Sequence, residues 1–488
     1  MPYLIWSVPT LVVIAAIASG RVSTVTAAAL GVLAAVPVAV WAGPQAGFAL
    51  DGVVQALLRG GWIGVTIAPY ILGGLLFWQL AARAAAPEAA SAMPDAHRLP
   101  TRARRRLVFF ACFLVGPFAE SATGFGVGML GTVAMIRPLG LAPRHVMIFA
   151  LLSQTLIPWG AMGSGTMLAA AYTRMPATDL ALYAMPLVAL LMGVWLLLFW
   201  RTARQAGLGA ARGEYAAEAG WIAAALALLA LATWQLGPET ALLAGYGPLI
   251  VLRFLADERP DAARLRQAVH AALPFVVLIG ALVLTRMPAV AARLRQPAFL
   301  PYADLPAWQP LFHAGSWLVA GGVLTALWRG QGRTLPAQAA GAWRTGRNAV
   351  YTVFLFAMMA EILTAAGISQ AFARGMFEAL QAQAILFTPV LSGVFGILAN
   401  SGNAPNSLFM PSQVALALQA GFSVLAVAAI QHVSGSQLSL FSPVRMSIAA
   451  GLAQGAGQER AVYVALLPYA LAAALLLTLA AGVLIGLG

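Results

Sequence analysis

Gly116-Pro117-Phe118-Ala119-Glu120-Ser121-Ala122-Thr123-Gly124-Phe125-Gly126-Val127-Gly128 decides how this chain folds. The stretch lies in a long apolar region, and Glu120 is the one charged residue between Leu107 and Ile136. An ionisable group in a membrane segment is costly and points to function. Glycine and small residues crowd the same stretch, where a lipid-spanning helix would be regular. Irregular backbone at that depth survives only when buried in protein or lining a cavity. The stretch therefore reads as a substrate or proton site in a transporter.

The surrounding composition agrees. The 488 residues are 61% hydrophobic and 9% charged, against about 25% charge in an ordinary soluble domain. Mean hydropathy is +0.85. No polar stretch is long enough for a separate soluble domain. The net charge of +13, carried entirely by arginine on the basic side, does not indicate nucleic acid. The arginines cluster between apolar segments, which is the positive-inside pattern. Cys112 is the single cysteine, which excludes an intrachain disulfide and a cysteine metal cluster. His97, His145, His270, His313 and His432 show no ligand spacing, so no metal or other cofactor is expected.

A span needs about 20 apolar residues. Spans are expected near Tyr3–Ser19, Val25–Ala42, Gly61–Arg83, Gly220–Leu236, Thr240–Leu252, Gln267–Leu284 and Leu311–Trp328. The run Tyr3–Ser19 lacks a basic flank and reads as a first transmembrane helix, with no cleaved signal. Arg98–Arg106 is the densest basic run and reads as a solvated cytoplasmic loop. Basic loops at Arg201–Arg212, Arg253–Arg266 and Arg329–Arg347 share that side, and counting crossings back places the N-terminus outside. Arg286, Arg293 and Arg295 fall in an outside loop, against the pattern.

Arg106 and Arg201 both belong inside, yet three apolar blocks separate them: Leu107–Ile136, His145–Tyr172 and Leu180–Trp200. One or two must be re-entrant or broken. The glycines after Glu120 and the run Pro158–Gly165 are the natural interruptions.

The second half repeats this grammar. Gly393–Ser407 echoes Gly116 and the polar run after it. Each is followed by an apolar segment, a short turn, a glutamine (Gln154 or Gln431) and another glycine/serine interruption. The helix before the first motif runs outside to inside; its counterpart, Asn348–Ala366, runs the other way. The expectation is an all-α polytopic membrane protein of about 12 transmembrane helices, with two inverted-topology repeats containing broken or re-entrant helices. Residues 1–60 hold N-terminal helices, 61–200 the first transport repeat, 201–347 connecting helices and loops, and 348–488 the second repeat. Both termini are expected outside.

Glu120 and Glu361 are the candidate proton-coupling residues, because desolvation disfavours a charged carboxylate and makes it a proton acceptor. Glu361 has no charged neighbour within Phe354–Ala366, and Arg374 is its candidate partner. Candidate substrate contacts are Ser121, Thr123, Gly124, Phe125, Gly126 and Gln154 in the first repeat. In the second they are Asn400, Ser401, Asn403, Asn406, Ser407, Gln431 and Arg445. The amides and hydroxyls suit a small hydroxylated anion, half-helix N–H groups add positive potential, and a guanidinium can clamp a carboxylate. Interhelical polar contact or interfacial snorkelling is the structural alternative for each.

At these residues the chain resembles the bacterial lactate permease family. Glu120-Ser-Ala-Thr-Gly124-Phe125-Gly126 is similar to that family's Glu-Gly-x-x-Gly-Phe-Gly motif, with Gly116 and Phe118 before it. Asn406-Ser-Leu-Phe409 after Gly393-Val-Phe395 and the later Ser442-Pro443 match its second half. The family's proline after Gly-Phe-Gly is replaced by Val127-Gly128, its second-half acidic residue is absent, and Arg445 stands where a small polar residue is usual. The resemblance implies a proton symporter of the bacterial inner membrane for L-lactate, D-lactate or glycolate. A carrier or channel for another organic anion without proton coupling is the alternative. A membrane-embedded enzyme would need a catalytic constellation, and none is visible, so the chain reads as a non-enzyme whose partners are a small organic anion, the proton and the bilayer.

Overall fold

The computed structural model describes residues 2–81, 99–124, 126–258 and 260–487. Its order is α1 (Pro2–Ala18), α2 (Thr24–Ala42), α3 (Leu50–Ala81), α4 (Thr101–Thr123), α5 (Val127–Ile136), α6 (Pro143–Leu152), α7 (Ser164–Thr173) and α8 (Ala177–Gln205). There follow α9 (Arg212–Leu236), α10 (Pro238–Glu258), α11 (Ala262–Arg286), α12 (Pro288–Leu294), α13 (Ala314–Trp328), α14 (Leu335–Ala365) and α15 (Ile368–Leu380). The last are α16 (Phe387–Ala399), α17 (Asn403–Ala420), α18 (Val424–Leu438), α19 (Pro443–Ala453) and α20 (Glu459–Leu487). Among the described residues there is no strand beyond one bridge between Phe299 and Trp308. Among the described residues eleven helices are long and apolar enough to cross a membrane, and shorter apolar helices accompany them. The chain is an all-α, multi-pass membrane protein.

Of the three apolar blocks after Arg106, the first is re-entrant. It enters as α4, turns at Gly124–Gly126 and returns as α5 along α4. Both ends lie on one face, where the Arg104 guanidinium donates to the Leu139 carbonyl at 2.9 Å. The second block is a broken helix, α6 and α7, interrupted over 153–163. The third, α8, is continuous. One hairpin, one broken helix and one continuous helix thus lie between Arg106 and Arg201.

The second half has the same parts. The α16–α17 hairpin turns at Asn400–Gly402, α18 and α19 form the broken helix, and α20 completes the set. The interruption expected after Gln431 falls at Ser439–Ser442. Pro443, without an N–H, starts a helix more readily than it continues one. The helices preceding the two hairpins run antiparallel: Gly60 of α3 meets the backbone of Ala357–Met358 on α14, and Gly346 meets Leu72 and Leu75. A side chain at Gly60 would strike that backbone. The two halves are inverted in topology.

The basic run is not simply a solvated loop. Arg105 is fully buried, paired with Glu218 by two bonds of 2.7 and 2.8 Å, and donates to the Leu208 carbonyl. Its guanidinium also lies over the Phe199 and Tyr215 rings. Arg106 ties Glu214 to Asp257, which fastens α4 to α9 and α10. Arg98 lies outside the described residues. Arg286 is likewise matched, by Glu239 at 2.8 Å and by the Leu236 and Phe312 carbonyls, so it adds no net charge where the loop pattern is violated.

Removing one member of a buried pair leaves an uncompensated charge. Glu218→Gln is expected to cost about 3–5 kcal/mol. Arg102→Ala breaks only a pair whose arginine is 71% exposed, and about 0–1 kcal/mol is expected. Melting temperatures of the two purified variants in detergent check the contrast.

Candidate functional site

The two hairpin tips and the two helix breaks meet in the interior. At the first tip Gly126 is left-handed at φ 80° and opens α5. The break frees the first N–H groups of α5, which have no helical partner. Glu120 supplies one. Its carboxylate oxygens accept from the Gly126 N–H at 3.0 Å and the Gly128 N–H at 2.8 Å. Glu120 is 6% exposed, so these bonds stand in for water. Gly128 is required by close approach: a Cβ there would strike the Gly116 carbonyl and lie 2.7 Å from the Glu120 Cβ. Gly124 faces Ala161 of the first break. Phe125 lies outside the described residues.

At the second tip Asn400 caps α16 in the left-handed conformation, φ 54°, one that asparagine tolerates better than most residues. Its side-chain oxygen accepts from the Arg445 guanidinium at 3.2 Å. Ser401 accepts the Asn403 N–H at 3.1 Å. Helix α19 links the two tips. Its Arg445 holds the second, and its Ile448 lies beside Gly126 of the first. Arg445 is close enough to Glu120 to feel its charge, although the two form no ion pair among those described.

The start of α7 completes the arrangement. The Asn406 amide donates to His432 Nδ1 at 2.8 Å and to the Gly165 carbonyl at 3.3 Å. His432 Nε2 then donates to Thr166 Oγ1 at 3.0 Å, because Nδ1 is occupied as acceptor. Trp159 stacks on the imidazole at 6.5 Å. The Asn403 side-chain oxygen lies near Gly165. With both amide hydrogens of Asn406 used, its Oδ1 is left buried without a partner, as are Ser407 Oγ and Gln431 Oε1. Unsatisfied buried polar atoms are rare and call for an explanation. Here three acceptors lie on the helices that meet at the tips and breaks.

The sequence candidates divide accordingly. Asn400, Ser401, Asn403, Asn406 and Arg445 gather around one tip; Glu120, Gly124 and Gly126 form the other. Gln431 donates to the Pro405 carbonyl at 3.0 Å, whereas Gln154 donates to its neighbour Ser153 at 3.3 Å, so the paired glutamines do not make equivalent contacts. Ser121 and Thr123 turn their hydroxyls onto the Phe118 and Ala119 carbonyls of their own helix. Glu361 lies in a separate cluster. Its ion partners are Arg59 at 2.9 Å and Arg174 at 3.3 Å, in place of Arg374. Both arginines come from other segments, which the linear reading of one apolar run cannot see. Thr166 and Trp159 carry no signal in the sequence. His432 does, as the lone imidazole in a charge-free stretch.

The fold is similar to that of the YdaH transporter of Alcanivorax borkumensis, whose crystal structure is described as having an unusual topology. The match covers 95% of this chain and 98% of that one, with a TM-score of 0.55 and 15% identity. At that identity the shared property is the fold. No family model matches the chain, and no curated protein matches it. The resemblance to lactate permeases rests on the motifs alone.

Gly128→Ala forces Glu120 away from the tip, and a loss of about 1–3 kcal/mol is expected from overpacking. Gly131→Ala, three residues along the same helix with open space around it, should leave the melting temperature unchanged or slightly higher. Thermal melts of both variants test whether the tip geometry is as tight as described.

Proposed function

We propose that the protein is a proton-coupled secondary carrier for a small organic anion, a 2-hydroxymonocarboxylate such as L-lactate, D-lactate or glycolate, and not an enzyme. It would act in the bacterial inner membrane, with the arginine-rich face cytoplasmic and both termini on the other side. The similarity in fold to a transporter supports the carrier class. The motif resemblance supports the substrate class.

The carrying observation is the Glu120 carboxylate bonded to both Gly126 and Gly128 N–H groups. An ionised carboxylate accepts at both oxygens; a carboxylic acid turns one of them into a donor. Protonation therefore leaves one of the two tip N–H groups facing a weaker acceptor. That couples proton binding to the shape of the first hairpin. Arg445 and the amides of the second hairpin face the carboxylate and hydroxyl of the substrate, and the unpartnered oxygens of Asn406 and Ser407 accept the substrate's own hydrogen-bond donor. Alternating access follows when the paired repeats rock against each other around this point. Glu361 is a second protonatable group, set apart from the tips beside Arg59 and Arg174.

Glutamine at position 120 keeps an acceptor but cannot carry a proton. In proteoliposomes with an inward proton gradient, Glu120→Gln is expected to reduce uphill lactate or glycolate uptake to background while substrate–substrate counterflow persists. Undiminished uphill uptake would exclude Glu120 as the coupling residue. Wild-type flux indifferent to the gradient would favour an uncoupled anion carrier or channel.

A further inference from the structure

Four charges meet where the end of α14 approaches the start of α3, on the face away from the Arg102–Arg106 segment. Arg59 of α3 binds Asp304 through its two terminal guanidinium nitrogens at 2.6 and 3.1 Å, and Glu361 of α14 through Nε at 2.9 Å. Arg174, just past α7, reaches Asp304 and Glu361 at 3.3 Å each. The two carboxylates are not equivalent. Glu361 is 5% exposed and sits on a long helix; Asp304 is 48% exposed and sits on a loop. That loop is closed at its neck by the paired bonds between Phe299 and Trp308, and its tip is held by the Trp62 indole on the Pro306 carbonyl.

Arg59 and Arg174 against Asp304 and Glu361 sum to zero. Without Asp304 the remaining three groups carry +1, the complement of one monoanion. The two guanidiniums already hold a carboxylate in the geometry a free one would adopt. A cleft of about 340 Å³ bordered by Gln45, Phe48, Asp51, Gln55, Arg59 and Ala365 opens beside Arg59. Arg174 follows directly on α7. Tyr172, two residues earlier on α7, faces Ser407 and feels the charges of Glu361 and Arg174. The Tyr172 and Ser407 hydroxyls are both buried without a fully formed hydrogen bond. Ser407 adjoins Asn406 of the central site.

We infer that Arg59 and Arg174 form an access site for a monocarboxylate, in which the Asp304 carboxylate is a tethered stand-in that the incoming anion displaces. Glu361 fixes both arginines from the buried side and remains in place during the exchange. The proposal deepens the carrier reading, since it adds a first binding station on the path to the hairpin tips. A tethered competitor acts at an effective concentration in the millimolar range. Its removal therefore strengthens binding of a free carboxylate.

The test is calorimetric titration of the full-length protein in detergent with acetate, the smallest monocarboxylate, and with acetamide and chloride as controls. Asp304→Asn is expected to bind acetate about tenfold more tightly than wild type. The double variant Asp304→Asn/Arg174→Gln is expected to lose that gain, and acetamide should bind neither. Asp304→Ser serves as a second opening variant, and melting temperatures verify that each protein is folded. Unchanged acetate affinity in both opening variants would overturn the proposal, as would a gain that survives Arg174→Gln or that chloride shares equally. Because acetate binding is read at equilibrium, the outcome stands apart from uptake. Failure of wild-type proteoliposomes to accumulate any carboxylate would sink the carrier reading and leave this comparison intact.

Discussion

A helix interrupted inside hydrocarbon must find new partners for the backbone groups it frees. Everything distinctive in this protein follows from how that demand is met at two hairpin tips. In the first repeat the answer is a carboxylate from the preceding turn. Glu120 reaches across the break to two N–H groups, and glycine at 128 lets the two helices of the hairpin close to the required distance. In the second repeat the answer is neutral. Asn400 takes the left-handed cap, Ser401 accepts the Asn403 N–H, and Arg445 reaches in from a different helix. The same fold element is thus stabilised by an ionisable group in one half and by amides and hydroxyls in the other. Only in the first does an ionisable side chain bond the backbone of the tip itself.

What sequence makes legible here is governed by how far the relevant physics extends along the chain. Backbone breaks are local. The glycines after Glu120, Pro158–Gly165 and Asn400–Gly402 lie where the helices actually stop or turn, and loop charge supplies the parity that demands a re-entrant segment. Pairing of charges is not local. Arg105 looks like one more arginine in a cytoplasmic loop, and its burial depends on Glu218, more than a hundred residues away. Glu361 looks isolated for the same reason, since Arg59, Arg174 and Asp304 come from three other segments. Side-chain direction is the remaining gap. Ser121 and Thr123 belong to the right motif, yet their hydroxyls bond their own helix, as these residues often do when a helical carbonyl is within reach.

The matching of charge elsewhere sharpens the meaning of the tips. In a medium of low dielectric a lone charge is expensive and a paired one tolerable. Arg105 has Glu218, Arg286 has Glu239, and the cluster around Arg59 is balanced two against two. Glu120 and Arg445 are different. They carry opposite charge, lie on elements that α19 brings together, and each is held by neutral groups instead of by the other. A pair already in contact would resist both a proton and an anion, because either must first break it. A pair held apart by backbone and amide bonds can accept a proton on one side and a carboxylate on the other without leaving a charge uncompensated. Proton and anion arriving together keep the interior's net charge unchanged. On the proposed symport reading, that is the electrostatic condition the point where both hairpins turn has to satisfy.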